Sequence, residues 1–133
     1  MVMLLLSRPP IEGMEVYMIY VVVAIVIFIV IRKITEPKVT HLDKQALEEL
    51  LKDKKKYQFV DVRTSDEFNS HKIKGFKNMP LQNLRSNVEK LSKDQPIVLM
   101  CASGSRSMNA ARILKKAGFE NLMNVKGGIS RMT

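Results

Sequence analysis

The chain has 133 residues, 46% of them hydrophobic and 26% charged, with a net charge of +9, two histidines and one cysteine. That length holds one domain of ordinary size but not two. A single cysteine excludes an internal disulfide and a cysteine-based metal cluster, and neither His41 nor His71 has metal-ligand spacing to the other or to Cys101, so no metal and no other cofactor is expected.

The mean hydropathy of −0.05 averages over an uneven distribution. Val16 to Ile31 is a run of 16 residues with no charge, glycine or proline. Beyond it the chain carries 21 basic and 11 acidic residues, a net charge of +10. That excess suits a solvated basic face near anionic lipid, or attraction to small anions. Aromatic residues are only 6% and no motif for reading DNA or RNA accompanies the charge, so nucleic acid is not an expected partner.

Residues 1–13, with Pro9, Pro10 and Gly13, read as an irregular lead. Sixteen helical residues span only about 24 Å, against a hydrocarbon core of about 30 Å. Extension over residues 14–34, with Arg32 and Lys33 snorkelling, reaches spanning length. Tyr17 and Tyr20 fall at its N-terminal end, where interfacial aromatics are favoured. A cleaved signal peptide fits less well. The basic residue Arg8 is followed by Glu12 and Glu15, and no small-residue cleavage site follows the run. The expectation is a single-pass anchor in the cell membrane, contacting lipid through residues 14–34. Arg32, Lys33 and Lys38 follow the apolar run, and the positive-inside rule then places the C-terminal domain in the cytoplasm, where a thiol stays reduced.

Residues 35–38, including Pro37, form a linker, and 39–133 the domain. Val39 to Leu42 reads as a strand. Asp43 then caps a helix with an apolar stripe of Ala46, Leu47, Leu50 and Leu51. Lys52 to Lys56 is its solvated, charge-rich end. Tyr57 to Val62 reads as a buried strand, and Thr64 with Glu67 has capping-box spacing for a short helix. Ile73 to Pro80 reads as turn, short strand, turn. Leu84, Val88 and Leu91 predict one helical face that Ser92 and Asp94 bring to an end. Pro96 to Met100 is a strand, Met108 to Ala117 a helix stopped by Gly118, and Leu122 to Val125 a last strand before Gly127-Gly128. Apolar strands alternating with helices predict an α/β fold, an open and mostly parallel sheet with helices on both faces.

The chemistry concentrates at Pro96 to Ser107. An apolar strand delivers Cys101 to a loop of small residues, Ala102, Ser103, Gly104 and Ser105, which closes on Arg106 and Ser107 ahead of a helix. Small residues let the backbone curl tightly and aim successive N–H groups inward. An ordinary thiol is only about 3% ionised at pH 7, and an N–H cluster, a helix N-terminus and a cation all favour the thiolate. The alternative, a cysteine serving as a small buried hydrophobe, fits poorly at the C-terminal end of a strand, where open α/β sheets place their ligands.

The stretch Cys101-Ala102-Ser103-Gly104-Ser105-Arg106-Ser107 resembles the active-site loop of the rhodanese family of sulfurtransferases. Val60-Asp61-Val62-Arg63 with Glu67-Phe68 resembles the family's strand-and-turn motif. Ile73, Gly75, Asn78 and Pro80 match the spacing of the next segment, and Val125 with Gly127-Gly128-Ile129 resembles the motif near the domain's end. The likeness covers roughly residues 38 to 132, with the four motifs in the family's order.

The resemblance implies a rhodanese-like fold and a persulfide carried on Cys101, with residues 102–107 binding the sulfur and Asp61 and Arg63 as structural support. It implies a small sulfur donor, and a thiol or an acceptor protein to receive the sulfur. Glu67 is read as a capping residue. Four residues separate Cys101 from Arg106, one fewer than in tyrosine-type and related cell-cycle phosphatases, which favours one sulfur atom over a tetrahedral phosphate or arsenate. A non-catalytic adaptor on the same fold is the other alternative. With no second cysteine, a persulfide on Cys101 must pass its sulfur to another molecule.

This sequence departs from the family at Ala102, where many members carry a basic residue. It departs again at His71-Lys72, where Gly-His is frequent, and at Met132, where tryptophan is common. A final helix seen in many members is expected to be missing. The sequence leaves the oligomeric state open.

Overall fold

The computed structural model of the protein describes residues 11–132. The expectation of an irregular lead therefore lies outside the described residues for positions 1–10, as does Thr133. Two compact units divide between Glu36 and Pro37.

The first unit is one helix, α1 (Ile11–Thr35), 25 residues long. It starts earlier than the sequence predicts and takes in Gly13, which no neighbouring group crowds. At a rise of about 1.5 Å per residue it is about 37 Å long, more than a hydrocarbon core of about 30 Å. Gly13–Thr35 has a mean hydropathy of 2.8, and none of it is buried against protein. By length and composition this helix is able to cross a membrane. Arg32 and Lys33 occupy its last turn, where cations complement the helix dipole.

The second unit runs β1 (Val39–Leu42), α2 (Lys44–Leu51), β2 (Gln58–Asp61), α3 (Ser65–Ser70), β3 (Lys77–Asn78), α4 (Leu84–Asn87), β4 (Ile97–Met100), α5 (Ser105–Lys116) and β5 (Leu122–Val125). A 3-10 turn, Gly128–Arg131, follows β5. The five strands form one sheet in the order β1-β5-β4-β2-β3, with every neighbouring pair parallel. Successive side chains of β4 alternate between two cores, as the period of a strand requires. Ile97 and Leu99 pack with Leu84 of α4 and with Ala110, Ala111 and Leu114 of α5. Val98 and Met100 pack on the other face with Leu47 of α2, Phe76 and Ile129. All four β4 residues are buried, so the central strand is covered on both faces, the arrangement typical of parallel sheets.

Helix starts follow their caps. Asp43 accepts the Ala46 N–H at 2.8 Å, and Thr64 and Glu67 form the full capping box at α3. The helical face of Leu84, Val88 and Leu91 is not one helix. It is broken into a 3-10 turn (Leu81–Asn83), the single turn α4, and a second 3-10 turn (Val88–Lys90). The segment is rich in residues that bond the backbone locally and so make poor helix formers: the carbonyl of Asn83 also accepts from Ser86 Oγ at 3.1 Å and from Asn87 Nδ2 at 2.8 Å.

Candidate active site

Cys101 directly follows β4, and the flanking strands β2 and β5 fix that end of the sheet. Its side chain is completely buried. The sulfur accepts the Gly104 N–H at 2.9 Å, and the thiol lies 3.4 Å from Ser107 Oγ as donor. Gly104 has φ of 109°, a left-handed conformation that side chains resist. That turn brings the chain into α5 at Ser105, three residues before the helix start expected at Met108. Ser105, Arg106 and Ser107 are therefore the first helical turn, whose N–H groups have no partner within the helix and are free to face the sulfur. Ser103 and Ser105 are exposed, and Ala102 and Gly104 are half-buried.

The other side of the loop is held by the 3-10 turn after β5. Ile129 N–H donates to Cys101 O at 2.8 Å and Ser130 N–H to Ala102 O at 3.2 Å. A Cβ on Gly128 would lie 2.3 Å from Cys101 O and 2.6 Å from Ala102 C, so this approach admits only glycine. The Gly127-Gly128 pair thus has a job beyond ending β5: it lets the backbone of the 3-10 turn clamp the cysteine loop.

Burial pushes the Cys101 thiol up. The Ser107 hydroxyl and the N–H groups of Ser107, Gly104 and Ser103 favour the thiolate and outweigh it, so the net shift is downward. The contribution expected from Arg106 is differently spent. Its guanidinium makes a two-pronged pair with Glu67, Nη1 to Oε1 at 2.6 Å and Nη2 to Oε2 at 2.8 Å. Glu67 raises the Arg106 pKa, with the Cys101 charge a lesser cause. The Arg106 hydrogen bond holds Glu67 down at about 2 against the opposing effect of burial, helped by Thr64. Glu67 therefore caps α3, as expected, and also anchors the arginine, which its capping position did not reveal.

Asp61 and Arg63 form a second pair, buried and separate from the first. Arg63 Nε donates to both Asp61 oxygens at 3.0 Å and Nη2 to Oδ2 at 2.7 Å. The same guanidinium donates to the carbonyls of Glu67 and His71 at 3.2 and 2.6 Å. Asn78 Nδ2 donates to the carbonyls of Asp61 and Arg63, tying β3 to this turn.

Asn124 was not singled out by its sequence, although a lone amide in the apolar strand Leu122–Val125 is a signal. It is buried, its amide oxygen accepts from Ser107 Oγ, and its amide nitrogen lies 3.3 Å from His41 Nδ1. Two clefts flank the loop. One of about 340 Å³ is lined by His41, Ser103, Gly104, Asn124, Lys126 and Gly127, and one of about 260 Å³ by residues that include Val62, Thr64, Leu81 and Arg106. Among the described residues no group of three His, Cys, Asp or Glu side chains is placed to hold a metal ion.

Comparison with known proteins agrees with this geometry. The model of the rhodanese-like domain matches residues 43–133. The uncharacterised protein YqhL of Bacillus subtilis is 36% identical over 77 residues, which are 58% of this chain and 61% of that protein. The thiosulfate sulfurtransferase GlpE of Shewanella oneidensis is 36% identical over 76 residues, covering 57% of this chain and 75% of the relative. Among solved structures, reduced CoADR-RHD of Bacillus anthracis superposes with a TM-score of 0.64 at 30% identity, covering 70% of this chain and 16% of that one. The chain thus spans less than two thirds of YqhL and a small part of the Bacillus anthracis protein. A buried cysteine at the end of the central parallel strand, a clamped loop closing on an arginine, and a family match over the same residues lead to one conclusion: this chain belongs to the rhodanese-like family.

Proposed function

We propose that the protein is a membrane-anchored sulfurtransferase that carries sulfane sulfur as a persulfide on Cys101 and passes it to a thiol or cyanide-like acceptor. The observation that carries this reading is the sulfur of Cys101, lowered in pKa and accepting the Gly104 N–H at the start of α5. Thiolate needs no general base to act as nucleophile. With thiosulfate as donor, the thiolate attacks the outer sulfur, its electron pair forms the S–S bond, and sulfite leaves with the electrons of the broken bond. The charge then sits on the outer sulfur of Cys101–S–S⁻. An acceptor thiolate or cyanide attacks that outer sulfur and leaves as a persulfide or thiocyanate, returning Cys101 as thiolate. Residues 102–107 surround the sulfur and supply N–H groups to the anion, while Asp61 and Arg63 hold the turn beside them. The Shewanella relative's name, thiosulfate sulfurtransferase, supports thiosulfate as a donor.

Intact-mass spectrometry of the purified chain after thiosulfate treatment tests the reading. One added sulfur is expected on the wild type and none on Cys101→Ala, together with thiosulfate:cyanide turnover that the variant lacks. Wild-type protein that never gains sulfur would overturn the proposal in favour of a non-catalytic module. The anchor is α1, and the cations Arg32 and Lys33 in its last turn, with Lys38 beyond it, support a cytoplasmic domain. Protease added to intact cells should then leave the domain whole and cut it only after permeabilisation. Cleavage in intact cells would reverse the orientation.

A further inference from the structure

Four polar groups form a chain from the buried sulfur to the surface. Cys101 Sγ lies 3.4 Å from Ser107 Oγ, Ser107 Oγ meets the Asn124 amide oxygen, and the Asn124 amide nitrogen lies 3.3 Å from His41 Nδ1. His41 and Asn124 are direct partners in the parallel register of β1 and β5, so their side chains rise from the same face of the sheet. Asn124 is buried, whereas His41 is exposed in the cleft it shares with Ser103 and Lys126. We propose that His41 and Asn124 extend the hydrogen-bond chain of Cys101 and Ser107 to solvent, and that the chain reverses polarity when the sulfur becomes anionic. The inference rests on the reading of Cys101 as a thiolate sulfur carrier.

The Ser107 hydroxyl has one proton and three neighbours: the sulfur, the Asn124 amide, and the Gly104 carbonyl at 2.9 Å. With a thiol, the chain runs outward. The S–H donates to Ser107 Oγ, the hydroxyl donates to the Asn124 oxygen, and the Asn124 NH₂ donates to an unprotonated His41 Nδ1.

With a thiolate or a persulfide, the sulfur has no proton to give, and the hydroxyl proton turns to it. The Gly104 carbonyl still has the Met108 N–H at 3.3 Å. The Asn124 oxygen, however, now faces the hydroxyl oxygen with no proton between them, and a buried acceptor without a donor is costly. Rotation of the amide by about 180° removes the conflict, because its NH₂ then donates to Ser107 Oγ and its oxygen turns to His41. That arrangement is complete only when His41 Nδ1 carries a proton, either as the Nδ1–H tautomer or as imidazolium. Protonation of His41 at Nδ1 and loss of the Cys101 proton thereby stabilise each other. His41 and Asn124 are positioning residues in this scheme, acting on the sulfur through Ser107.

Four other charged groups near the chain are held in ion pairs. Arg106 is paired with Glu67, and Asp61 with Arg63. Lys126 shares the cleft with His41, and the Arg131 side chain packs over Gly127 at its edge.

The test uses the full-length chain in detergent micelles and follows the rate of Cys101 alkylation by iodoacetamide from about pH 5 to about pH 9, spanning the ordinary ranges of imidazole and thiol. His41→Ala should move the alkylation profile to higher pH and slow the reaction about 3- to 10-fold near neutrality, the scale of one lost hydrogen bond of about 1 kcal/mol. His41→Gln, which keeps an N–H donor, should restore most of the rate.

In an Asn124→Ala background the His41→Ala change should have no further effect, since the link is cut. The same His41 effect in that background would mean that the imidazolium acts through space and would overturn the relay, as would an unchanged profile in His41→Ala. Where Asn124→Ala does not fold, nitrogen NMR of the His41 ring decides without it. In the wild type with Cys101 ionised the neutral His41 ring should hold its proton on Nδ1, and in Cys101→Ser, which keeps a donor, on Nε2. A ring that is indifferent to Cys101 ionisation overturns the relay. Sulfur gain measured by intact mass in His41→Ala separates the two readings: gain with an unshifted profile defeats the relay alone, and no gain even in the wild type defeats the sulfur carrier.

Discussion

Asp61 with Arg63 and Glu67 with Arg106 are chemically the same kind of pair, placed in two very different surroundings. The side chains of the first are 0% and 4% exposed, and those of the second 37% and 33%. Arg63 reaches past its carboxylate to two backbone carbonyls, at Glu67 and His71, so it organises α3 and the turn after it. Arg106 makes its pair across 39 residues of sequence, joining the first turn of α5 to the N-terminal end of α3. A buried pair depends on mutual compensation, since either charge alone in a low-dielectric interior is severely unfavourable. A half-exposed pair is screened by water and contributes little to stability, so its value lies in where it holds its groups. One pair therefore sets the scaffold under the site and the other shapes its rim.

Truncation of each arginine breaks that contrast apart most directly. Arg63→Ala leaves the buried Asp61 charge without its counter-ion, holding only the backbone N–H of residue 63, and takes the guanidinium from the His71 carbonyl, and a loss of about 3–5 kcal/mol is expected in urea denaturation. Against a typical domain stability of about 5–15 kcal/mol, that is enough to lower the yield of folded protein. Arg106→Ala should cost only about 1 kcal/mol or less in the same measurement. Its effect should appear instead in thiosulfate:cyanide turnover, as a loss of about 10- to 100-fold, because small displacements of reacting groups weigh heavily on rate. Arg106→Lys should recover little, since a lysine cannot make the two-pronged contact with Glu67. Equal losses of stability in the two alanine variants would erase the distinction between scaffold and rim.

The contrast also explains which parts of the molecule could be read in advance. Strand positions, the caps at Asp43 and Thr64, and the cysteine at the end of β4 are local or periodic features, and the sequence displays them directly. The early start of α5 turned on one glycine with positive φ, which the spacing of apolar residues from Met108 onward does not encode. The second role of Glu67, the clamp at Gly128 and the link from Asn124 to His41 all join residues from distant segments. Such contacts exist only after the parallel strands have set their order, so neither motif nor periodicity points to them. Asn124 comes nearest to an exception, because an amide in the buried face of a strand demands a partner.

The smallest expected effect concerns the ionisation of the rim pair. Glutamine is as suitable as glutamate at the third position of a capping box, so Glu67→Gln preserves the cap at Thr64 while it removes the charge facing Arg106 and one of the two acceptors of the two-pronged pair. The wild-type carboxylate has its pKa lowered to about 2 in the folded chain, below the unfolded value of about 4.3. A group depressed by folding stabilises the native state above its unfolded pKa and loses that contribution as pH falls toward its folded pKa. The stability gap between wild type and Glu67→Gln should therefore be present at neutral pH and close as pH drops from about 4.5 to about 2. With both side chains about one third exposed, solvent screening holds the gap to about 1 kcal/mol or less even at its widest. Urea midpoints of the two proteins across that pH window measure it. A gap that persists unchanged at pH 2 would mean that the pair contributes through packing, and that the difference between the two arginine pairs is one of shape rather than of charge.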